Sequence, residues 1–228
     1  VIGSAQPQDR QYVMAAGVYS ERNLAGAACV LEGVEVSVRA VCALSNYALG
    51  NSTVCAAGAV SGHYQSNLRL GYTTVTVAES ILSEAVSGSG VSEVYSFGLA
   101  YDAYAFRECS VSVGGSVQAI AAEGVSASGF AHQPYNEPNV LDQNVDYENC
   151  SVTAGSISAV APEYGGYAAG FMRWCYGACK NCSVTAGSIE SSGIDADVSG
   201  FARRFSPNTS AYLSNKHGEL DGCKVAAG

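Results

Sequence analysis

From Cys150 to Ile157 apolar and polar side chains alternate along the chain. Cys150, Val152 and Ala154 fall on one side and Ser151 and Thr153 on the other, and after Gly155 the apolar set resumes at Ile157. A period of two marks a strand with one buried face, and Gly155 offers a place to bend. The same alternation returns downstream, where Ile194, Ala196 and Val198 are interleaved with Asp195, Asp197 and Ser199 ahead of Gly200 and Phe201. Val125 and Ala127 repeat it ahead of Gly129 and Phe130. No stretch sustains the i, i+3, i+4, i+7 spacing of a long amphipathic helix. The pattern predicts short strands and glycine corners.

These strands recur at intervals. Residues 149–157 and 181–189 both read NCSVTAGSI, and related segments are CSVSVGGSV at 109–117, TTVTVAESI at 73–81 and VEVSVRAV at 34–41. Each is matched by a glycine-centred close. The clear ones are SGFA at 128–131, AGFM at 169–172 and SGFA at 199–202; looser ones are SFGLA at 96–100, VCAAGAV at 54–60 and AGAACV at 25–30. Cys109 to Phe130, Cys150 to Phe171 and Cys182 to Phe201 span 21, 21 and 19 positions.

A unit this short cannot bury its apolar face alone, so copies must stack. The expected fold is all-β: a β-solenoid, or β-helix-like stack, of about five repeats with ordered cores of roughly 20–25 residues. Residues 1–228 form a single repeat domain, with a degenerate first unit at 1–33, repeats over 34–203 and a C-terminal cap or tail at 204–228. Stacking predicts an inward ladder of Cys109, Cys150 and Cys182 beside Val111, Val152 and Val184, in which the cysteines act as small buried hydrophobes.

Composition narrows the function classes. Apolar residues make up 48% and charged residues 14%, with 26 glycines, which suits closely spaced strands with a thin core. The net charge of −9 and the lack of any basic cluster argue against nucleic-acid binding. No apolar run approaches the roughly 20 residues of a membrane-spanning helix. The opening VIGSAQPQDRQY lacks a charged leader and an apolar core, so no signal peptide is read there. Nine cysteines leave at least one thiol unpaired within a monomer.

A strand carrying S-x-x-G-x-I/V followed by a G-F/L-A close resembles the GLUG-type repeats of large bacterial cell-surface proteins. The resemblance covers roughly residues 25–203 and is clearest over 109–203, although the final glycine of the family's Gly-Leu-hydrophobic-Gly close is missing from SGFA and AGFM. It implies an extracellular, adhesin-like or wall-associated segment of a bacterial surface protein.

Insertions follow the closes, at 61–73, 100–108, 132–149 and 173–181. In a stack they would leave from equivalent corners and gather along one edge, a common place for a solenoid to bind. They hold Tyr64, Tyr72, Tyr101, Tyr104, Phe106, His132, Tyr135, Tyr147, Arg173, Trp174 and Tyr176. Tyr135, Arg173, Trp174 and Tyr176 are the candidate binding residues, because aromatic rings give amphipathic contact area at low entropic cost. The same rings could instead fold back and cap the edge.

Other chemistry is weaker. Cys175, Cys179 and Cys182 have the C-x3-C-x2-C spacing that can hold an iron–sulfur cluster, but Cys182 belongs to the strand ladder. A zinc site using Cys175, Cys179 and His132 or Cys223 is a second reading. A Cys175–Cys179 or Cys179–Cys223 disulfide, or free thiols, is simpler, and neither a metal nor a cofactor is expected. Asp195 and Asp197 share an outward face, as paired acids do in polysaccharide lyases and hydrolases. The other units carry Ser126 and Tyr167 or Ala168 there, so a solvated strand face is the simpler account. His63, His132 and His217 lie in different loops without a nucleophile elbow. The threonines of TTVTV are not repeated in register, which counts against ice binding.

The sequence thus predicts a non-enzymatic extracellular domain for display or adhesion through one edge. Its partner would be a carbohydrate or a surface protein. A structural spacer or self-assembling fibre or surface-layer subunit is the alternative, and a polysaccharide lyase a distant one.

Overall fold

The computed structural model describes residues 2–3, 12–21, 28–45, 53–62, 67–85, 93–102, 105–133, 146–175, 178–205 and 219–228. Among them there is no helix, and hence none long and apolar enough to cross a membrane. All pairings are parallel, and strands one coil apart in sequence are neighbours in space. The chain is a β-solenoid.

Each coil visits four faces, here lettered A to D. Face A holds the long strands Ser110–Ile120, Ser151–Ala161 and Ser183–Gly193, flanked by the shorter pieces Glu35–Val38, Val41–Ser45, Thr74–Val77, Ile81–Ala85 and Lys224–Ala227. Face B stacks Tyr12–Ala16, Thr53–Ala57, Glu93–Phe97, Glu123–Ser128, Tyr164–Ala169 and Asp197–Ser199. Face C stacks Tyr19–Glu21, Val60–Gly62, Ala100–Asp102, Ala131–Gln133, Met172–Cys175 and Ala202–Phe205. Face D stacks Ala28–Glu32, Asn67–Gly71, Ala105–Arg107, Asp146–Glu148, Ala178–Lys180 and Glu219–Asp221. Residues 219–228 thus add strands to faces D and A, and their side chains are half-buried or exposed from Leu220 on.

Parallel stacking brings equivalent residues into rows. The pairings align Val36, Val75, Val111, Val152, Val184 and Val225, and a second row runs through Val41, Ile81, Val117, Ile157 and Ile189. Both point inward and are buried away from the ends. The expected cysteine ladder forms. Cys109, Cys150 and Cys182 are buried in the core, and Cys223 joins at the last coil. The Cys150 thiol, hydrogen-bonded to the neighbouring Cys109 and Cys182 sulfurs and shut away from water, is pushed far above the ordinary thiol range.

A corner just ahead of the ladder holds Gly33, Tyr72, Glu108, Asn149, Asn181 and Gly222, all in the left-handed region with φ between 50° and 66°. Asn181 Nδ2 donates to Asn149 Oδ1 at 3.2 Å and Asn149 Nδ2 to Glu108 Oε1 at 2.7 Å, which ties successive corners together. Asparagine tolerates this backbone better than most residues.

The glycine closes also align, with one correction. Gly17, Gly58, Gly98, Gly129, Gly170 and Gly200 form one row. The first coil therefore closes at Ala15–Tyr19, and AGAACV runs instead into the face D strand beginning at Ala28. A Cβ on Gly98 would meet the carbonyl oxygen of Gly129, and one on Gly129 that of Gly170, so each position needs glycine for close backbone approach. Behind this row Phe130 stacks on Phe171 at 4.5 Å and Phe171 on Phe201 at 4.7 Å.

Candidate functional site

The chain turns from face B to face C at the glycine row, with Leu99, Phe130 and Phe171 tucked inward just after it. Outward side chains before and after the turn consequently converge in a re-entrant corner. Phe97 precedes Gly98 and Tyr101 follows it, and their rings meet at 5.6 Å. In the next coil His132 takes the place of Tyr101 and stacks on it at 4.8 Å with only 9° between the planes. Tyr95 lies 5.2 Å from Tyr101 and 5.0 Å from His132. Small residues at the matching positions of neighbouring coils, Cys55, Ala57, Ser126, Ser128 and Ala169, leave room for these rings.

Cations continue the corner towards the later coils. The Arg173 guanidinium sits 5.0 Å from the ring centres of both Tyr167 and Trp174 and 5.8 Å from that of Tyr95. Its Nη1 donates to His132 Nε2 at 2.9 Å. Arg203 lies 3.5 Å from the ring centre of Tyr167 and pairs with Asp197 at 2.9 Å. Contacts of this kind hold a guanidinium flat against a ring while leaving N–H groups to donate. Burial pushes the Tyr95 hydroxyl well above its ordinary value, against the opposing pull of Arg173, so it stays a protonated donor.

Burial grades along the corner. Tyr95, Phe97, Tyr101 and His132 are buried, whereas Tyr167, Arg173, Trp174 and Arg203 are half-exposed and Asp197 is exposed. Beneath them the Ser126 and Ser128 hydroxyls, on residues with no exposed surface, have no hydrogen-bond partner among the described residues. The accessible part is therefore a strip of two rings, two guanidiniums and a carboxylate laid across two successive coils.

Two of the four residues proposed from sequence, Arg173 and Trp174, come together here. Tyr135 and Tyr176 lie outside the described residues, as do Tyr64 and Tyr104. Phe106 and Tyr147 do not belong to an edge at all. They fill the core, 5.5 Å apart, with no exposed surface. Tyr72 stands exposed at the left-handed corner, away from the others by fold position.

Sequence reasoning missed Tyr95, Phe97, Tyr167 and Arg203. A signal was present: TVCAA at 53–57 and VYSF at 94–97 lack the polar alternation of a strand with one wet face. Both faces of such strands are covered. Asp195 and Asp197 separate as well. Asp195 sits in a turn with φ 58°, and Asp197 is committed to Arg203.

Near the end of the stack the Cys175 and Cys179 sulfurs face each other at 3.2 Å, both buried. That contact pushes the Cys179 thiol above its ordinary range, and burial adds to it. Cys223 donates to the Cys179 carbonyl at 3.2 Å and Cys182 to that of Tyr147 at 3.5 Å. Among the described residues no three His, Cys, Asp or Glu side chains converge to hold a metal ion. No family model matches the chain, and no curated protein or solved structure is similar to it.

Proposed function

We propose that this chain is a non-catalytic, extracellular display domain that binds a glycan along the corner between faces B and C. The observation that carries the reading is the convergence of half-exposed Trp174, Tyr167, Arg173 and Arg203 on one strip. Ring faces suit the C–H surfaces of sugars, and the adjoining guanidiniums and Asp197 suit their hydroxyls. Side chains locked by stacking need little ordering on binding, which favours affinity for a weakly contacting ligand. The buried layer of Tyr95, Tyr101 and His132 serves as the support that holds the strip in place. The likeness of the repeats to GLUG units supports a bacterial cell-surface setting.

The test is a broad glycan array with the purified chain and with Trp174→Ala and Arg173→Ala, beside a Tyr135→Ala/Tyr176→Ala variant. Binding lost in the first two and kept in the third supports the corner. Loss only in the third moves the site to the edge loops. No binding by the unaltered chain, or release of cleaved products from a bound glycan, overturns the proposal.

A further inference from the structure

The fold sorts the cysteines of the later coils into two groups. Cys109, Cys150, Cys182 and Cys223 hold one place in successive coils, since Ser110, Ser151, Ser183 and Lys224 pair in register directly after them. Their thiols donate to backbone carbonyls: Cys109 to Arg107 at 3.3 Å, Cys150 to Glu148 and Cys182 to Lys180 at 3.4 Å, and Cys223 to Cys179 at 3.2 Å. In-register parallel strands lie about 4.8 Å apart with their Cβ atoms side by side. A disulfide wants its Cβ atoms roughly 3.8 Å apart, so neighbours on this ladder are poorly placed to bond.

Cys175 and Cys179 stand outside the ladder. Cys175 ends the face C strand Met172–Cys175 and Cys179 is the middle residue of the face D strand Ala178–Lys180, so the two side chains enter the core from different faces. Their sulfurs meet at 3.2 Å, with no exposed surface on either residue. The preceding coils put the rings of Phe106 and Tyr147 at the Cys179 position. A cysteine is far smaller, and the Cys175 sulfur reaches into the space that remains. Side chains converging from two faces can close by small rotations, whereas those lying side by side cannot. We propose that Cys175 and Cys179 form a disulfide that braces the corner between faces C and D, one residue after Trp174, while the four ladder cysteines stay thiols.

The oxidant is a small-molecule disulfide such as oxidised glutathione. One cysteine thiolate attacks a sulfur of that disulfide and expels a glutathione thiolate, leaving a mixed disulfide; the other cysteine thiolate then displaces the second glutathione. The pair gives up two electrons, its two protons pass to the departing thiolates, and the oxidant leaves as two thiols. Burial shuts the oxidant out of the finished core, so the exchange belongs to folding, before the coils close over the pair. The bridge then fixes the end of the strand that carries Arg173 and Trp174. In reductant the chain keeps both thiols in their 3.2 Å contact.

The experiment folds the full chain in defined mixtures of oxidised and reduced glutathione, confirms folding by circular dichroism, then alkylates the unfolded product and cuts it with trypsin without reduction. Cleavage after Arg173 and Lys180 releases residues 174–180, a peptide that contains Cys175 and Cys179 and no other cysteine. Bridged, it is lighter than its dithiol form by two hydrogens and takes no alkyl group. Chain held unfolded in urea in the same mixtures is the reference, because two cysteines this close in sequence also bridge by chance. The folded chain is expected to favour the bridge about tenfold or more over the unfolded one, and Cys223→Ser should leave that preference unchanged. Equal bridging in the two, a folded chain whose peptide carries two alkyl groups throughout, or either cysteine linked to Cys182 or Cys223 overturns the proposal.

Discussion

Arg173 donates a 2.9 Å hydrogen bond from Nη1 to Nε2 of His132, one coil away. Guanidinium groups only donate, so His132 Nε2 must carry a lone pair and its ring proton must sit on Nδ1. The bond links the exposed strip to the buried ring layer, because His132 also stacks on Tyr101 and lies 6.0 Å from Trp174. Nitrogen–proton correlation spectra of the imidazole should therefore show the Nδ1–H tautomer at neutral pH. Arg173→Met should abolish that preference and shift the fluorescence of Trp174, the one tryptophan in the chain. An Nε2–H tautomer in the unaltered protein would contradict the geometry.

The glycine row is the most exacting requirement of the fold. Gly129→Ala would press a methyl group into the Gly170 carbonyl and within 2.7 Å of Val152 Cγ1. The obstacle is backbone on one side and packed core on the other, so relief requires the coils to separate. A loss of more than about 3 kcal/mol is expected, at the severe end for single substitutions. Gly71→Ala is the control, since its Cβ would come no closer than 3.5 Å to the Glu32 side chain. A methyl group added in ordinary van der Waals contact of this kind is expected to cost at most about 0.5 kcal/mol. Equal effects of the two in denaturant titrations would refute the close-approach account.

Tyr72 occupies a left-handed corner at φ 50° with its side chain 57% exposed. The equivalent corners carry Asn149, Asn181, Gly33 and Gly222. Tyr72→Asn should relieve the backbone and extend the side-chain ladder towards Glu108. The expected gain is about 0.5–1 kcal/mol. In a chain of this size that corresponds to a rise of about 2 °C in Tm by differential scanning calorimetry. An unchanged or lower Tm would mean that the tyrosine contributes more than its exposure suggests.

The Cys150 and Cys179 thiols are held above their ordinary range in the folded chain. Once unfolded they ionise near the usual thiol value of about 8.5. Below that pH both states are protonated and the buried thiols lend their full stability. As pH rises above it, these two thiols release protons only in the unfolded state and their contribution falls, whereas Cys109 and Cys182, lowered by the hydrogen bond with Cys150, act in the opposite sense. The clean readout is therefore Cys179: between about pH 8 and pH 10 the denaturant midpoint of Cys179→Val should lose less than that of the unaltered chain, and a parallel change in both would dismiss this cause. Among the cysteines other than Cys29, native labelling should be confined to half-buried Cys42 and Cys223, while Cys55, Cys109, Cys150, Cys175, Cys179 and Cys182 react only on unfolding.

Much of the architecture could be read from sequence because a solenoid is built from repeats whose signals are local. Alternation in CSVTAGSI names the inward side, and the repetition of that side at Cys109, Cys150 and Cys182 implies stacked rows. The weak first unit was harder. Gly17 carries no phenylalanine beside it, and only pairing with Gly58 identifies its place.

The corner belongs to tertiary structure. Phe106 and Tyr101 both follow a glycine close, yet one fills the core and the other lines the outside, because a strand's two faces are distinguished only by where the neighbouring sheet lies. Tyr95, His132, Arg173 and Arg203 come from four successive coils, and no local pattern places them together. The sequence by itself determined the period, the inward rows and the glycine bends, since each depends on near neighbours along the chain. The angle at which face B meets face C, and with it the convergence of rings and guanidiniums, was decided only when coils stacked, because outward side chains acquire partners across coils rather than along them.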